Sequence, residues 1–221
     1  MLSAINHIHA RRADLRQAID VATCFKEWEE TCVPSYCHPN LAAAYVSWWR
    51  LFAAVRLAKR LCPGGASALD FGSSVGELGR LLPRSLSRYD FIEENDAAAR
   101  YLLQHQPQAR RQNLEAIPQA AYDWVFAIDA LEHNDDYPGL LARLARSLTP
   151  TGVLVISGPT ENWLYRLGRR IAGFDGHYHT TTIFAIEDAA RKILRCRKVT
   201  TIVPGLPLFR LSVWSAPSSP A

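Results

Sequence analysis

Several features that would indicate the functional class of a protein directly are absent from this sequence of 221 residues. Its five cysteines form no C-x-x-C pair, and their odd number and irregular spacing indicate reduced thiols in a cytoplasmic protein. No basic tract with interleaved aromatic residues appears, and the net charge is only +4. We therefore expect no nucleic-acid partner.

The distribution of apolar residues along the sequence also shows no pattern typical of a membrane-spanning segment. The N-terminal stretch MLSAINHIHARRADLR lacks the uninterrupted apolar run of a secretory signal. The longest apolar segment, Leu41 to Leu61, contains four basic residues, so we expect no membrane span. Its aromatic residues recur at helical spacing, which predicts an amphipathic helix that packs on a core or covers a ligand.

The pattern changes at Pro63-Gly64-Gly65, a strong breaker of regular structure. We predict a helical N-terminal cap over residues 1–62, an α/β domain over 63–215 and a loose tail over 216–221. Short apolar runs alternate with helical patterns in the α/β domain, which predicts a doubly wound, mostly parallel sheet. The last two runs, Lys198 to Val203 and Phe209 to Trp214, predict an antiparallel pair at the sheet edge.

The most informative segment is Ala66 to Leu82, ASALDFGSSVGELGRLL. A short strand ends in Asp70, a loop of small residues spans Gly72 to Gly76, and leucines at helical spacing follow. Small residues let backbone N–H groups approach a ligand, and a helix N-terminus favours a negative group. This arrangement predicts a nucleotide-type site.

Polar residues follow the other predicted strands, where ligands of such sheets bind. Glu93-Glu94-Asn95-Asp96 follow the second strand, Asn113-Leu114 follow the third, and Asp129 with Leu131-Glu132-His133 follow the fourth. A carboxylate can accept two hydrogen bonds from the hydroxyls of a ribose. We choose Glu94 for this role because it stands two residues before Asp96, the expected helix cap.

Two ligand chemistries fit the loop poorly. The dinucleotide fingerprint G-x-G-x-x-G matches only its first glycine, because Ser74 and Glu77 occupy the other positions. The segment Gly72 to Gly76 also matches the motif G-x-S-x-G of a nucleophile elbow, with Ser74 as nucleophile. A hydrolase of that kind needs several strands before the elbow, whereas residues 1–62 look helical. A serine hydrolase remains the alternative enzyme class.

The same segments resemble the motifs of class I methyltransferases that use S-adenosyl-L-methionine. ALDFGSSVGELGRLL resembles L-D-x-G-x-G-x-G with Ser74 in place of the middle glycine, and FIEENDAAA resembles the acidic second motif. NLEAIP resembles the segment that flanks adenine. YDWVFAIDALEHNDD, LLARLARSLTPTGVLVISGPTEN and GHYHTTT resemble the later motifs of the small-molecule enzymes with L-E-H. The resemblance covers residues 45 to 215.

This resemblance implies a Rossmann-like, seven-stranded sheet with an antiparallel edge strand, and a cofactor site at its carboxyl edge. The loop would meet the methionine part of the cofactor, Glu94 its ribose, and further residues its adenine and amino group. The cofactor-binding residues implied are Asp70, Gly72, Ser73, Ser74, Gly76, Glu94, Asn113, Leu114, Ile128 and Asp129.

Methyl transfer mainly requires that the acceptor and the methyl group are held in line, and a hydroxyl acceptor also needs a base. The candidates for this base are His133, His177 and His179, whereas Glu132 is expected to be a structural hydrogen-bond partner. We predict transfer to a small molecule, with oxygen as the acceptor atom, by a monomer or homodimer. The other alternative is a cofactor-binding module without catalysis.

Two groups of residues could instead form metal sites. Cys32, Cys37 and His38 lie close in sequence but lack an evident fourth zinc ligand. His177 and His179 could form a metal site with Asp175, but a loop that lines the acceptor pocket is the preferred interpretation. We expect no metal.

Overall fold

The computed structural model describes residues 2–20, 28, 31–163, 181–203 and 206–217. Within these residues the α-helices are α1 (Leu2–Ala18), α2 (Val33–Tyr36), α3 (Leu41–Leu61), α4 (Asp96–His105), α5 (Tyr137–Ser147) and α6 (Ile183–Ile193). The strands are β1 (Ser67–Phe71), β2 (Arg88–Ile92), β3 (Ala109–Arg111), β4 (Tyr122–Ile128), β5 (Leu148–Pro159), β6 (Arg195–Val203) and β7 (Leu206–Ser215).

The strands form one seven-stranded sheet in the order β3-β2-β1-β4-β5-β7-β6. The pairs from β3 to β5 are parallel, and β7 runs antiparallel to both β5 and β6. The predicted fold class is therefore confirmed. The strand order reverses next to β1, so the loops that follow β1, β2 and β4 meet at one edge of the sheet.

Each face of the sheet packs against its own hydrophobic core. Along β4, Trp124 and Phe126 face the core that includes residues of the N-terminal helices, whereas Val125 and Ala127 face the core of α5 and α6. This alternation is the two-residue period of a strand that is buried on both faces. Burial of each large side chain stabilises the fold by about 1.5–3 kcal/mol.

Helix α3 packs directly on the sheet and brings one charged side chain into the core. The helix begins after Asn40, whose side chain accepts hydrogen bonds from the backbone N–H groups of Ala42 and Ala43. Its buried face contains Trp48, Leu51 and also Arg50. None of the helices in the described ranges is long and apolar enough to cross a membrane.

Two local predictions were wrong. An α-helix was predicted directly after the small-residue loop, but only a 3₁₀ turn, Gly79–Leu81, forms there. A Cβ atom at Gly79 would lie 2.5 Å from the Tyr89 ring, so this turn passes directly against a side chain of β2. The loop consequently lacks a long helix dipole. The second error concerns the cap of α4 and is described with the site.

The sequence also predicts a helix from Asn162 to Ile171, and this segment falls almost entirely outside the described residues.

Candidate functional site

The loop after β1 is held tightly against its neighbours on both sides. The backbone N–H of Gly72 donates to the carbonyl of Ile92 at the end of β2, at 2.9 Å. Gly72 has φ +71, and a Cβ atom there would lie 2.5 Å from the Cβ atom of Ala130, which follows β4. Only glycine therefore fits this position, and the loop bridges the ends of β2 and β4.

The rest of the loop is fixed by left-handed backbone conformations. Ser74 has φ +50 and Gly76 has φ +79. The side-chain amide of Gln106 donates to the carbonyl of Gly76 at 2.8 Å, and the N–H of Gly76 donates to the carbonyl of Ser73 at 2.9 Å. The loop is thus ordered by hydrogen bonds to Gln106, the residue after α4, and to itself.

Glu93, rather than Glu94, faces this loop. The Glu93 carboxylate accepts from the backbone N–H of Ser74 at 2.6 Å and from that of Asn95 at 2.9 Å. Glu94 is exposed to solvent. The choice of Glu94 assumed that Asp96 caps the next helix, but Asn95 is the cap: its side chain accepts from the N–H of Ala98 at 2.9 Å.

Partial burial raises the pKa of Glu93, although its two backbone N–H donors act in the opposite direction. Glu93 is the first residue after β2, and Glu94, which follows it, is exposed.

Asp70 lies buried at the end of β1, beneath the loop. The hydroxyl of Tyr89 donates to its Oδ2 at 3.1 Å. Burial raises the pKa of Asp70 to about 7, the Tyr89 hydroxyl opposes that rise, and the neighbouring Glu93 adds to it. The carboxyl group can therefore exchange its proton near neutral pH.

Asp129 follows β4 and forms an ion pair with Arg50 of α3. Its other carboxylate oxygen accepts from the hydroxyl of Ser157 in β5 at 2.9 Å, and its backbone has φ +51. The Arg50 guanidinium carbon lies 4.3 Å from the centre of the Phe209 ring. The end of β4 thus places a buried anion and a buried cation side by side next to the loop.

Sequence reasoning did not identify Arg50 as a residue of the site. Its charge served only as one reason to expect that Leu41 to Leu61 does not span a membrane. The signal that could have identified it is a single arginine among the aromatic residues of one helix face. An arginine at such a position is rarely buried unless it is paired.

The L-E-H turn forms a 3₁₀ turn, Leu131–His133, directly after β4. Glu132 is buried, and this burial raises its pKa to about 7, while the charge of Arg50 acts to lower it. His133 is exposed at the surface. The carbonyl of Glu132 accepts from the N–H of Thr181 at 3.4 Å. His177, His179 and Asp175 lie outside the described residues.

The segment expected to flank adenine forms a short turn after β3. The side chain of Asn113 accepts from the N–H of Glu115 at 3.0 Å, which caps the 3₁₀ turn Leu114–Ala116. Leu114 is partly buried against the core of α5 and α6. Ile128, the last residue of β4, is buried.

The residues at this edge fit a polar, cationic nucleoside ligand. The hydroxyl groups of Ser73 and Ser74 are buried and, among the residues that the structure describes, have no hydrogen-bond partner. A polar ligand would supply that partner, and the carboxylates of Glu93 and Asp129 would favour positive charge. Because no side chain bonds to Ser74 Oγ, the described residues offer no base for a serine nucleophile.

No group of three or more His, Cys, Asp or Glu residues within the described part of the chain could hold a metal ion.

Comparisons with known proteins identify the family and the fold of this chain. The family model described as "Methyltransferase domain" matches residues 47–193. The ubiquinone biosynthesis O-methyltransferase of Rhodopseudomonas palustris (strain BisB5) is 32% identical over 116 residues, which are 49% of this chain and 46% of that protein. The chain therefore spans about half the length of the curated relatives it matches.

Solved structures share the fold over most of the chain. Magnesium protoporphyrin IX methyltransferase from Synechocystis PCC 6803, with bound SAH, has a TM-score of 0.65 at 16% identity and covers 89% of this chain and 95% of its own. A protein from Pyrococcus horikoshii OT3 has a TM-score of 0.67 at 14% identity, over 87% of this chain and 99% of its own. Since the family model matches well over half of the residues, this chain belongs to the class I methyltransferase-domain family, whose cofactor is S-adenosyl-L-methionine.

Proposed function

We propose that this protein transfers a methyl group from S-adenosyl-L-methionine to a hydroxyl oxygen of a small molecule. The observation that supports this most is the junction of the Gly72–Gly76 loop with Glu93 and Asp129 at one sheet edge. When bound, the cofactor supplies an electrophilic methyl group on a positively charged sulfur.

Each residue at the edge has a role in this proposal. Glu93 holds the ribose hydroxyls through the acceptor positions of its carboxylate that the backbone N–H groups of Ser74 and Asn95 leave open. Asp129, or the carbonyl of Ile128, binds the methionyl amino group, and Arg50 beside it binds the methionyl carboxylate. Asn113 and Leu114 contact adenine. Asp70 supports the loop from below.

The acceptor has to lose a proton if it is a hydroxyl group. His133 lies directly after β4, at the expected methyl end of the site, and remains the predicted base together with His177 and His179. Oxygen as acceptor atom is supported by the name of the relative from Rhodopseudomonas palustris, an O-methyltransferase. The small-molecule acceptor and the cytoplasmic location belong to the same proposal.

The test has two stages, and the first is calorimetry with S-adenosyl-L-methionine and with its demethylated product. The second follows label from the cofactor's methyl group into a panel of phenols, catechols and matched primary amines. We expect micromolar binding and label in the hydroxyl compounds alone. Absence of binding would overturn the cofactor site, and label in the amines alone would overturn oxygen as the acceptor atom.

A further inference from the structure

Two segments of the chain contain basic residues and no acidic ones. Residues 31–69 contain four basic residues and residues 189–221 contain six, and neither segment contains Asp or Glu. The two segments therefore carry ten positive charges, although the net charge of the whole chain is only +4. The rest of the chain is consequently acidic.

Most of these positive charges have no acidic partner. Arg50, Arg191 and Arg210 form ion pairs with acidic side chains of other segments. Six further cations are exposed and form no ion pair within the described part of the chain: Arg56, Lys59, Arg60, Lys192, Arg197 and Lys198. We call these six residues the basic patch.

The fold brings the two segments to the same end of the sheet. One row across the strands joins four consecutive partners, Trp124 of β4, Val153 of β5, Ser215 of β7 and Arg195 of β6. The indole N–H of Trp124 donates to the carbonyl of Cys62, directly after α3, at 3.0 Å. The end of α3 and the start of β6 therefore lie along one row, which is about 15 Å wide because it spans three strand spacings.

Helix α6 ends at this same end of the sheet. Its last residue is Ile193, two residues before β6 begins, and its last turn contains Lys192. The side chain of Ile193 is 39% exposed. Helices α3 and α6 both contact β6. The basic patch thus extends over three neighbouring elements at the amino ends of the parallel strands, whereas Glu93 and Asp129 lie at their carboxyl ends.

Local structure accounts for only part of this charge. Cations in the last turn of a helix interact favourably with its dipole, which applies to Lys59, Arg60 and Lys192. Arg197 and Lys198 lie in an edge strand, where charged side chains prevent pairing with other strands. Acidic residues would serve that purpose equally well, so their complete absence from this segment indicates an anionic partner.

The composition of the basic patch favours a lipid surface as this partner. Residues 53–62 and 189–203 contain no aromatic residue. The bases of single-stranded nucleic acids stack on aromatic side chains, and the residues that dominate protein interfaces are enriched in them. Clusters of about four to eight cations are sufficient to bind acidic lipid headgroups. The exposed apolar side chain of Ile193 suits the boundary between headgroups and acyl chains.

We propose that the basic patch binds this protein to the surface of a bilayer that contains acidic phospholipids. The patch lies at the opposite end of the sheet from the Gly72–Gly76 loop. When the patch faces the bilayer, the carboxyl edge of the sheet faces water, and a small molecule reaches that edge from solution. The inference is independent of the proposed function, because it uses none of the residues assigned to the cofactor or the acceptor.

The test measures sedimentation of the protein with two kinds of vesicle, phosphatidylcholine alone and equal parts of phosphatidylcholine and phosphatidylglycerol. We expect binding to the acidic vesicles alone, and loss of that binding at high salt because ions screen exposed charges. Arg197→Gln/Lys198→Gln should weaken binding about 25-fold, since each cation near an acidic membrane contributes about a factor of five. Lys59→Gln/Arg60→Gln should weaken it by a similar factor through a different element.

Arg100→Gln/Arg110→Gln is the matched control. Both residues are exposed and lie in α4 and β3, at the far edge of the sheet. This variant removes the same total charge and should leave vesicle binding nearly unchanged. Equal weakening in the control would overturn the inference, because net charge alone would then explain the binding. Failure of the wild-type protein to sediment with acidic vesicles would overturn it as well.

A short labelled DNA duplex distinguishes a lipid surface from a nucleic acid. Fluorescence anisotropy at the ionic strength of the vesicle experiment should show no binding of the duplex. If the wild-type protein bound the duplex but not the acidic vesicles, and Arg197→Gln/Lys198→Gln released it, the lipid assignment would be overturned in favour of a nucleic acid.

Discussion

Arg50 and Asp129 form an ion pair that joins helix α3 to the carboxyl end of β4. Both side chains are largely buried, at 6% and 10% exposure. The hydroxyl of Ser157 donates to Asp129, and the ring of Phe209 lies against the guanidinium of Arg50. Helix α3 and the proposed site are thus linked through two opposite charges that are both largely removed from water.

Replacement of Arg50 alone should destabilise the protein strongly. Arg50→Met leaves Asp129 buried without its cation, and we expect a loss of about 3 kcal/mol in the free energy of unfolding. Urea unfolding measures this loss. The double variant Arg50→Met/Asp129→Asn should recover most of the loss, because neither charge remains. Additive losses in the double variant would show that the pair is not coupled.

Glu93 and Glu94 provide a matched pair of variants for cofactor binding. Glu93→Gln should weaken binding of S-adenosyl-L-homocysteine by about 1–3 kcal/mol, because the ribose hydroxyls lose a charged acceptor. Glu94→Gln should leave the affinity unchanged, since Glu94 is exposed. Calorimetry checks both variants. The reverse result would restore Glu94 to the role that the sequence alone suggested.

The buried carboxyl group of Asp70 should make stability depend on pH. Burial raises the pKa of Asp70 to about 7 in the folded protein, from an ordinary value of 3.8. The folded state therefore holds a proton that the unfolded state releases, and this stabilisation is lost as pH rises from about 4 through 7.

Asp70→Asn cannot ionise and keeps an acceptor for Tyr89. Relative to the wild type, its free energy of unfolding should increase by about 1–3 kcal/mol between pH 5 and pH 8. Parallel stability curves for the two proteins over this range would contradict the raised pKa.

Arg11 should anchor helix α1 to the chain segment that directly follows the Gly72–Gly76 loop. Its guanidinium donates to the fully buried carboxylate of Glu77 at 2.7 and 3.0 Å. Arg11→Ala should lower the free energy of unfolding by about 2–4 kcal/mol, because Glu77 keeps only the longer contact to Arg80, at 3.3 Å.

The control is Asp14→Ala, which removes the exposed partner of Arg11 and should cost less than about 1 kcal/mol. Equal effects of the two variants in urea unfolding would argue against an anchoring role of the buried pair.

His133 is predicted to act on the acceptor and not on the cofactor. His133→Ala should therefore reduce kcat much more than it weakens cofactor binding. Steady-state kinetics and calorimetry on the same preparation separate the two quantities. A comparable loss in both would assign His133 a structural role in the turn after β4.

Local patterns in the sequence were sufficient for the sheet and for most of its edge. The apolar run YDWVFAI predicts a strand from Tyr122 to Ile128, and β4 has these bounds, because an apolar run between polar turns has few other stable arrangements. The loop from Gly72 to Gly76 was also located, since small residues directly after a strand are a local signal. Leucines at helical spacing predict a helix from Pro138 to Leu148, and α5 differs from it by a single residue at each end.

Errors arose where neighbouring residues compete for one role. Asn95 and Asp96 are both good helix caps, and the choice between them decided which glutamate was expected to face the loop. Sequence spacing does not give the direction of a side chain at the end of a strand. The hydrogen bond from Ser74 to Glu93 gives it directly.

The sequence by itself determined the order of strands and helices, the fold class and the loop that follows β1, because these depend on residues close together along the chain. Only the tertiary structure decided that Glu93 faces the loop, that Arg50 meets Asp129 and that the Ser74 hydroxyl is buried without a partner. These relationships join residues far apart in sequence, and their energies depend on distance, burial and the direction of side chains once the sheet has formed.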